Sequence, residues 1–91
     1  MNSDDFSYGG IHLRRTCTAC PEQYDAYDGD KRVAYLRLRH GFFTVECPWL
    51  DGEYVLEGTP YGDGIFEDDE RSRWLIKAIG AIKAWQTRGL L

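Results

Sequence analysis

Ninety-one residues confine this chain to one small domain with room for one sheet and one helix layer. Three Trp, six Tyr and four Phe in an ordinary apolar fraction argue against disorder, and no run approaches the roughly 20 apolar residues that span a bilayer. The formal net charge of −4 argues against a generic nucleic-acid binder, because affinity for phosphate backbones comes from clustered Lys and Arg.

The opening MNSDDFSYGG carries acids where a signal peptide would carry a basic and an apolar region, so a soluble, cytoplasmic protein is expected. Residues 1–9 read as a flexible polar arm with Phe6 and Tyr8 as anchors, ahead of a single α+β domain over residues 10–91. Ile11 to Cys17 alternates, with Ile11, Leu13 and Cys17 on one side, His12, Arg14 and Thr16 on the other, and Arg15 interrupting the apolar side. This predicts a first strand at a sheet edge. Thr18 to Pro21 is a turn, since Pro21 fixes its own φ and biases Cys20 away from helix.

Glu22 to Tyr27 gives a second strand, and Asp28-Gly29-Asp30 supplies turn chemistry into the third. A connection of odd length, about three or five residues, would bring Tyr24 and Ala26 onto the face of Leu36 and Leu38. Folding Val33–Arg39 onto Phe42–Cys47 through a two-residue turn at His40-Gly41 sets Leu38 opposite Phe43, Leu36 opposite Val45 and Ala34 opposite Cys47. The other face of that hairpin then carries Val33, Tyr35, Arg37, Arg39, Phe42, Thr44 and Glu46. Pro48 ends the fourth strand, Asp51-Gly52 marks a turn, and Glu53 to Glu57 reads as a fifth with Tyr54 and Leu56 inward.

After the TPYGD loop the periodicity changes. Acids at Glu67, Asp68, Asp69 and Glu70 precede Leu75, Ala78, Ile79, Ile82 and Trp85 at helical spacing, with Lys83 and Arg88 late and Gly89 past the end. The acids suit the positive end of the helix dipole and the bases its negative end. Gly80 reads as a point of close approach to the sheet. The expected fold is an antiparallel meander of about five strands with one C-terminal helix packed on one face.

Charge is unevenly distributed. Residues 51–70 hold eight acids and no bases, whereas residues 71–91 hold five bases and no acids. One helix covers only one face of the sheet, so the Tyr35, Arg37, Arg39 and Phe42 face is left for solvent or a partner, with His12, Arg14, Asp25 and Tyr27 able to join from neighbouring strands. Three readings stand: a cross-strand ladder of purely structural value, a surface for a protein partner or self-association, and a platform for a nucleotide or nucleic acid.

Cys17, Cys20 and Cys47 form the one metal-like or redox-like pattern. Zinc would need a fourth ligand, and His40 lies at the far end of the hairpin from Cys47, so inert reduced thiols are the simpler reading, with a redox or disulfide role and a zinc-stabilised module as alternatives. Asp63, Gly64 and Glu70 fall at positions five, six and twelve of an EF-hand spacing, but Thr59 and Tyr61 would occupy positions one and three. A solvated acidic first turn of a helix explains Glu67 to Glu70 better. Two histidines, His12 and His40, three serines and no P-loop, nucleophile elbow or dinucleotide fingerprint give an enzyme no support, and no cofactor is expected.

At YLRLRHGFFTVECP, followed by GDGIFEDDERSRWL, the chain resembles an uncharacterised family of short proteins encoded by bacteriophages and prophages. The similarity also includes CPEQYDAYD and the Pro after the fourth strand, and it covers roughly residues 10–83. Where the relatives tend to have Gly-Gly, this chain has Trp49-Leu50-Asp51-Gly52, so features of that loop do not carry over. The resemblance implies a viral accessory context: a non-catalytic protein in the host cytoplasm that binds or inhibits a host or phage component, for instance a host-defence factor.

Overall fold

A computed structural model describes residues 5–17, 21–49 and 52–88 of the chain. Six strands precede one helix: β1 (Phe6–Tyr8), β2 (Ile11–Cys17), β3 (Glu22–Asp28), β4 (Lys31–Arg39), β5 (Phe42–Cys47), β6 (Glu53–Gly58) and α1 (Asp68–Arg88). They form a single sheet in the order β1-β2-β3-β4-β5-β6, every neighbouring pair antiparallel. The fold is therefore an α+β meander with one C-terminal helix. No helix among the described residues is long and apolar enough to cross a membrane.

The sixth strand comes from the segment read as an arm. Phe6 pairs with Leu13 and Tyr8 with Ile11, around a Gly9-Gly10 turn whose two residues both have positive φ. β2 is consequently an interior strand, and the edge position falls to β1. The β4–β5 hairpin has the register its alternation dictates, with Leu36 opposite Val45 and Leu38 opposite Phe43. Its turn places His40 at φ 54° and Gly41 at φ 75°, the left-handed pair that a two-residue hairpin matched to strand twist requires.

Three register shifts alter the expected faces, each by one residue. Between Ala26 and Tyr27 the partner on β4 jumps from Ala34 to Arg32, so Val33 bulges and turns inward, where it is buried. The Gly29-Asp30 connection has two residues, and the bulge supplies the odd count that puts Tyr24 and Ala26 over Leu36. Between Val45 and Glu46 the partner on β6 jumps from Leu56 to Tyr54, which leaves Tyr54 outward and 53% exposed instead of inward. Between Arg15 and Cys17 a third shift carries Cys17 to the row of Gln23, off the apolar face.

The core lies between sheet and helix. Leu75, Ala78, Ile79 and Ile82 of α1 meet Leu13, Tyr24, Leu36, Leu38, Phe43 and Val45, all close to fully buried. Phe43 sits at the centre of an aromatic group, edge-on to Phe66 at 5.0 Å and to Trp74 at 5.9 Å. Gly80 does not approach the sheet: it is exposed, and a Cβ there would have no neighbour within 4 Å. The expected turn at Thr18–Cys20, Asp51 and the helix stop at Gly89 lie outside the described residues.

Candidate functional site

With α1 on one face, the other face of the sheet is laid out in rows set by register. One row runs Arg14, Asp25, Tyr35, Glu46, Tyr54, one residue from each of β2 to β6. A parallel row runs Cys17, Gln23, Arg37, Thr44, Glu57, and a third Ser7, His12, Tyr27, Arg32. Arg39 and Phe42 close the hairpin end as a register pair, Phe42 being 44% exposed.

All seven residues singled out for binding, Tyr35, Arg37, Arg39, Phe42, Arg14, His12 and Tyr27, alternate onto this face, but they do not form one cluster. Arg37, Arg39 and Phe42 occupy one end and His12 and Tyr27 the other, about 20 Å away at strand rise, with Arg14 and Tyr35 between. His12 is engaged with its neighbours: Ser7 Oγ lies 2.6 Å from its Nδ1 and Asp5 3.3 Å from its Nε2. The bases of these rows are all arginines; Lys31 opens β4 opposite Asp28, and Lys77 and Lys83 lie on the helix. Arginine covers apolar surface with its stem and offers a planar fork, which suits recognition more than a point charge does.

Trp49 is the residue that the alternation did not reveal. It follows the cis Cys47–Pro48 peptide and folds back over the sheet, where its ring is edge-on to Tyr35 at 5.4 Å. The Arg32 guanidinium lies 3.6 Å from the centroid of the same ring. Tyr35 Oη donates to Gln23 Oε1. Thr44 and Glu46 are buried although no helix covers them, so the long side chains around them roof the middle of the face. Burial raises the Asp25 carboxyl against the opposing pull of Arg32 and Arg14, and it raises the Tyr35 phenol as well.

Of the acids at the helix start, Glu67, Asp68 and Asp69 are exposed as expected, whereas Glu70 is not. Glu70 is 1% exposed, and its carboxylate accepts from the backbone N–H of Tyr61 at 2.9 Å, Gly62 at 2.8 Å and Glu67 at 3.0 Å. The bond to Glu67 is the backward half of a capping box, three residues from the N-cap. Those contacts orient Glu70 toward backbone donors and away from a calcium-ligand role. Glu22, fully buried at the start of β3, accepts from Tyr24 Oη, from Phe66 N at 3.0 Å and from Arg71 Nε at 2.9 Å, while its own N–H donates to the Gly64 carbonyl at 2.6 Å. The motifs CPEQYD and GDGIFEDDER thus meet in space, and their shared residues secure the helix to the sheet. Their signal is architectural.

Cys17 and Cys47 do not converge. β2 and β5 are separated by two strands, Cys17 lies in the row of Gln23, and Cys47 is buried in the core, its thiol pushed up by burial and by Glu53 to about 11. Cys20 lies outside the described residues. Among the described residues no group of three or more His, Cys, Asp or Glu could hold a metal ion.

Comparison with protein-family models, with curated proteins and with solved structures gives no match for this chain.

Proposed function

We propose that this is a non-catalytic binding protein that engages a protein partner through the sheet face opposite α1. The observation that carries the reading is the five-strand row Arg14, Asp25, Tyr35, Glu46, Tyr54, flanked by Arg37, Arg39 and Phe42, on the broad face the helix leaves uncovered. Tyr and Arg dominate binding hot spots because each removes a large area from water while keeping a directional polar group. Four arginines, Arg14, Arg32, Arg37 and Arg39, against three acids, Asp25, Glu46 and Glu57, make these rows locally basic on an acidic chain, which favours an acidic partner surface. The resemblance to phage-encoded proteins supplies the context: an accessory protein that binds or inhibits a component of the host.

A nucleotide or single-stranded RNA on the same face is the second reading, and the packing of Trp49 speaks less for it. One face of that ring already carries Arg32, and its edge contact with Tyr35 fixes both rings against the sheet. Stacking of bases needs open aromatic faces.

The test is affinity capture from a host extract with wild type and with Tyr35→Ala/Arg37→Glu, followed by reconstitution with the purified captured protein. A partner whose affinity falls about 100-fold in the double variant, with far-ultraviolet circular dichroism unchanged, supports the reading. Equal affinity places the contact elsewhere. Binding to oligonucleotides that weakens with salt and with the same variant would favour the second reading.

A further inference from the structure

The geometry points to a second site: the cavity of about 530 Å³ between the β3–β4 hairpin and the C-terminal half of α1, which has the composition to bind an aromatic anion of mononucleotide size. Trp85, Val33 and Pro48 contribute its apolar lining, and Lys31, Arg32 and Lys83 its cations. The volume falls within the range of small-molecule sites, and apolar walls with a few charged groups are their usual composition.

Several observations converge on an anion. The lone carboxylate in the lining, Asp28, accepts from the Gln86 amide at 3.0 Å, which leaves Lys31 and Lys83, beside an Arg32 whose guanidinium lies over Trp49, against one acid already bonded to a neutral donor. Among the described residues neither Lys31 nor Lys83 is within ion-pair distance of a carboxylate. Lys83 donates one of its three hydrogens to the Gly9 carbonyl at 2.5 Å, which anchors the ammonium at the cavity and leaves two donors. On a chain of net charge −4, such a concentration of positive charge is a local exception. The bulge at Val33 contributes by directing that side chain inward at the hairpin base, and Trp85 is half-buried with part of its indole available to a planar ligand. The inference stands on Lys31 and Lys83, neither of which belongs to the open face; Arg32, which does, lines the cavity as well.

The experiment is a titration of uniformly ¹⁵N-labelled full-length protein with adenosine 5′-monophosphate and, separately, with 2-naphthoate, followed by amide and indole N–H shifts. The two probes distinguish a phosphate from a carboxylate head on an aromatic body. Saturable shifts of the Trp85 indole and of the Lys31 and Lys83 amides are expected with at least one probe, with adenosine and inorganic phosphate each far weaker. Lys83→Glu and Lys31→Glu should each weaken binding about ten-fold without loss of spectral dispersion. No saturable shift with either probe, equal affinity in both variants, or shifts confined to the Tyr35 and Arg37 region would overturn the proposal.

Discussion

Glu22 and Arg71, 49 residues apart in sequence, are joined by two charge-assisted hydrogen bonds, Arg71 Nε to Oε2 at 2.9 Å and Nη2 to Oε1 at 3.2 Å. Glu22 is fully buried, and Arg71 also donates to the Phe66 carbonyl and to Asp68. Removing Arg71 leaves the Glu22 charge in a site from which water is excluded, with Arg15 at 3.7 Å as its remaining cation. Arg71→Ala should therefore cost about 3–5 kcal/mol, read as a lower urea midpoint at an unchanged m value. A loss below about 1 kcal/mol would place the pair with weak surface bridges.

The two buried carboxylates also set an acid limit. Burial alone would raise Glu22, but hydrogen bonds from Arg71, Tyr24 and the Phe66 N–H outweigh it and hold the carboxyl below its ordinary value. Burial likewise opposes, and the N–H groups of Tyr61, Glu67 and Gly62 prevail, at Glu70. A depressed folded pKa stabilises the protein fully above the unfolded value of 4.5, and that stability is lost as pH falls through the lower folded value. The urea midpoint should hold from pH 7 to about 5.5 and fall steeply below about 4.5, with a shallower fall in Glu70→Gln.

Gly58 ends β6 beneath the indole of Trp74, where a Cβ would stand 2.5 Å from Cη2 and 2.6 Å from Cζ3. Gly58→Ala should destabilise by about 1–3 kcal/mol through overpacking. Trp74→Leu in the same background should recover part of that loss. Additive losses in the double-mutant cycle would show that the two positions do not press on each other.

In a Cys20→Ser background, Cys17 and Cys47 should alkylate at very different rates. Cys17 is partly exposed, whereas Cys47 is buried with its thiol raised to about 11, so little thiolate forms at neutral pH. Iodoacetamide followed by mass spectrometry should label Cys17 in the native state and Cys47 only on unfolding. Equal native rates would contradict the core placement of Cys47.

His40 holds φ 54° in the β4–β5 turn, a conformation that costs a non-glycine residue up to about 1–2 kcal/mol and that Asn tolerates better. His40→Asn should raise the unfolding free energy by a few tenths to about 1 kcal/mol, read as a higher urea midpoint at an unchanged m value.

The β4–β5 register and the helix were legible because their signals are local: a His-Gly turn flanked by alternation, and acids, apolar period and bases in order along one segment. The bulges were not legible, yet two of them fall where alternation breaks into consecutive apolar residues, Val33-Ala34 and Val55-Leu56. An apolar pair in a half-buried strand can satisfy both members only if one is inserted out of phase. Strict alternation therefore put Val33 outside and Tyr54 inside. Of the open face, Tyr35, Arg37, Arg39 and Phe42 could be read from alternation, but Trp49 could not, because it reaches the sheet from beyond the strand. Glu22 and Glu70 were hidden for a related reason: apart from Tyr24 and Arg15, the groups that justify burying Glu22 lie more than 40 residues away, and Glu70 required the fold of the 61–67 loop.

The strand order has a kinetic corollary. Since each strand pairs with its neighbour in sequence, the sheet can assemble by successive short loop closures, each with a small entropic cost. The long closures belong to the helix and the loop that leads into it, which return to Glu22 through Gly64, Phe66 and Arg71, to Asp28 through Gln86 and to Gly9 through Lys83. Docking of α1 is thus the non-local event of this fold, and it covers the apolar face of a sheet whose register can already be in place.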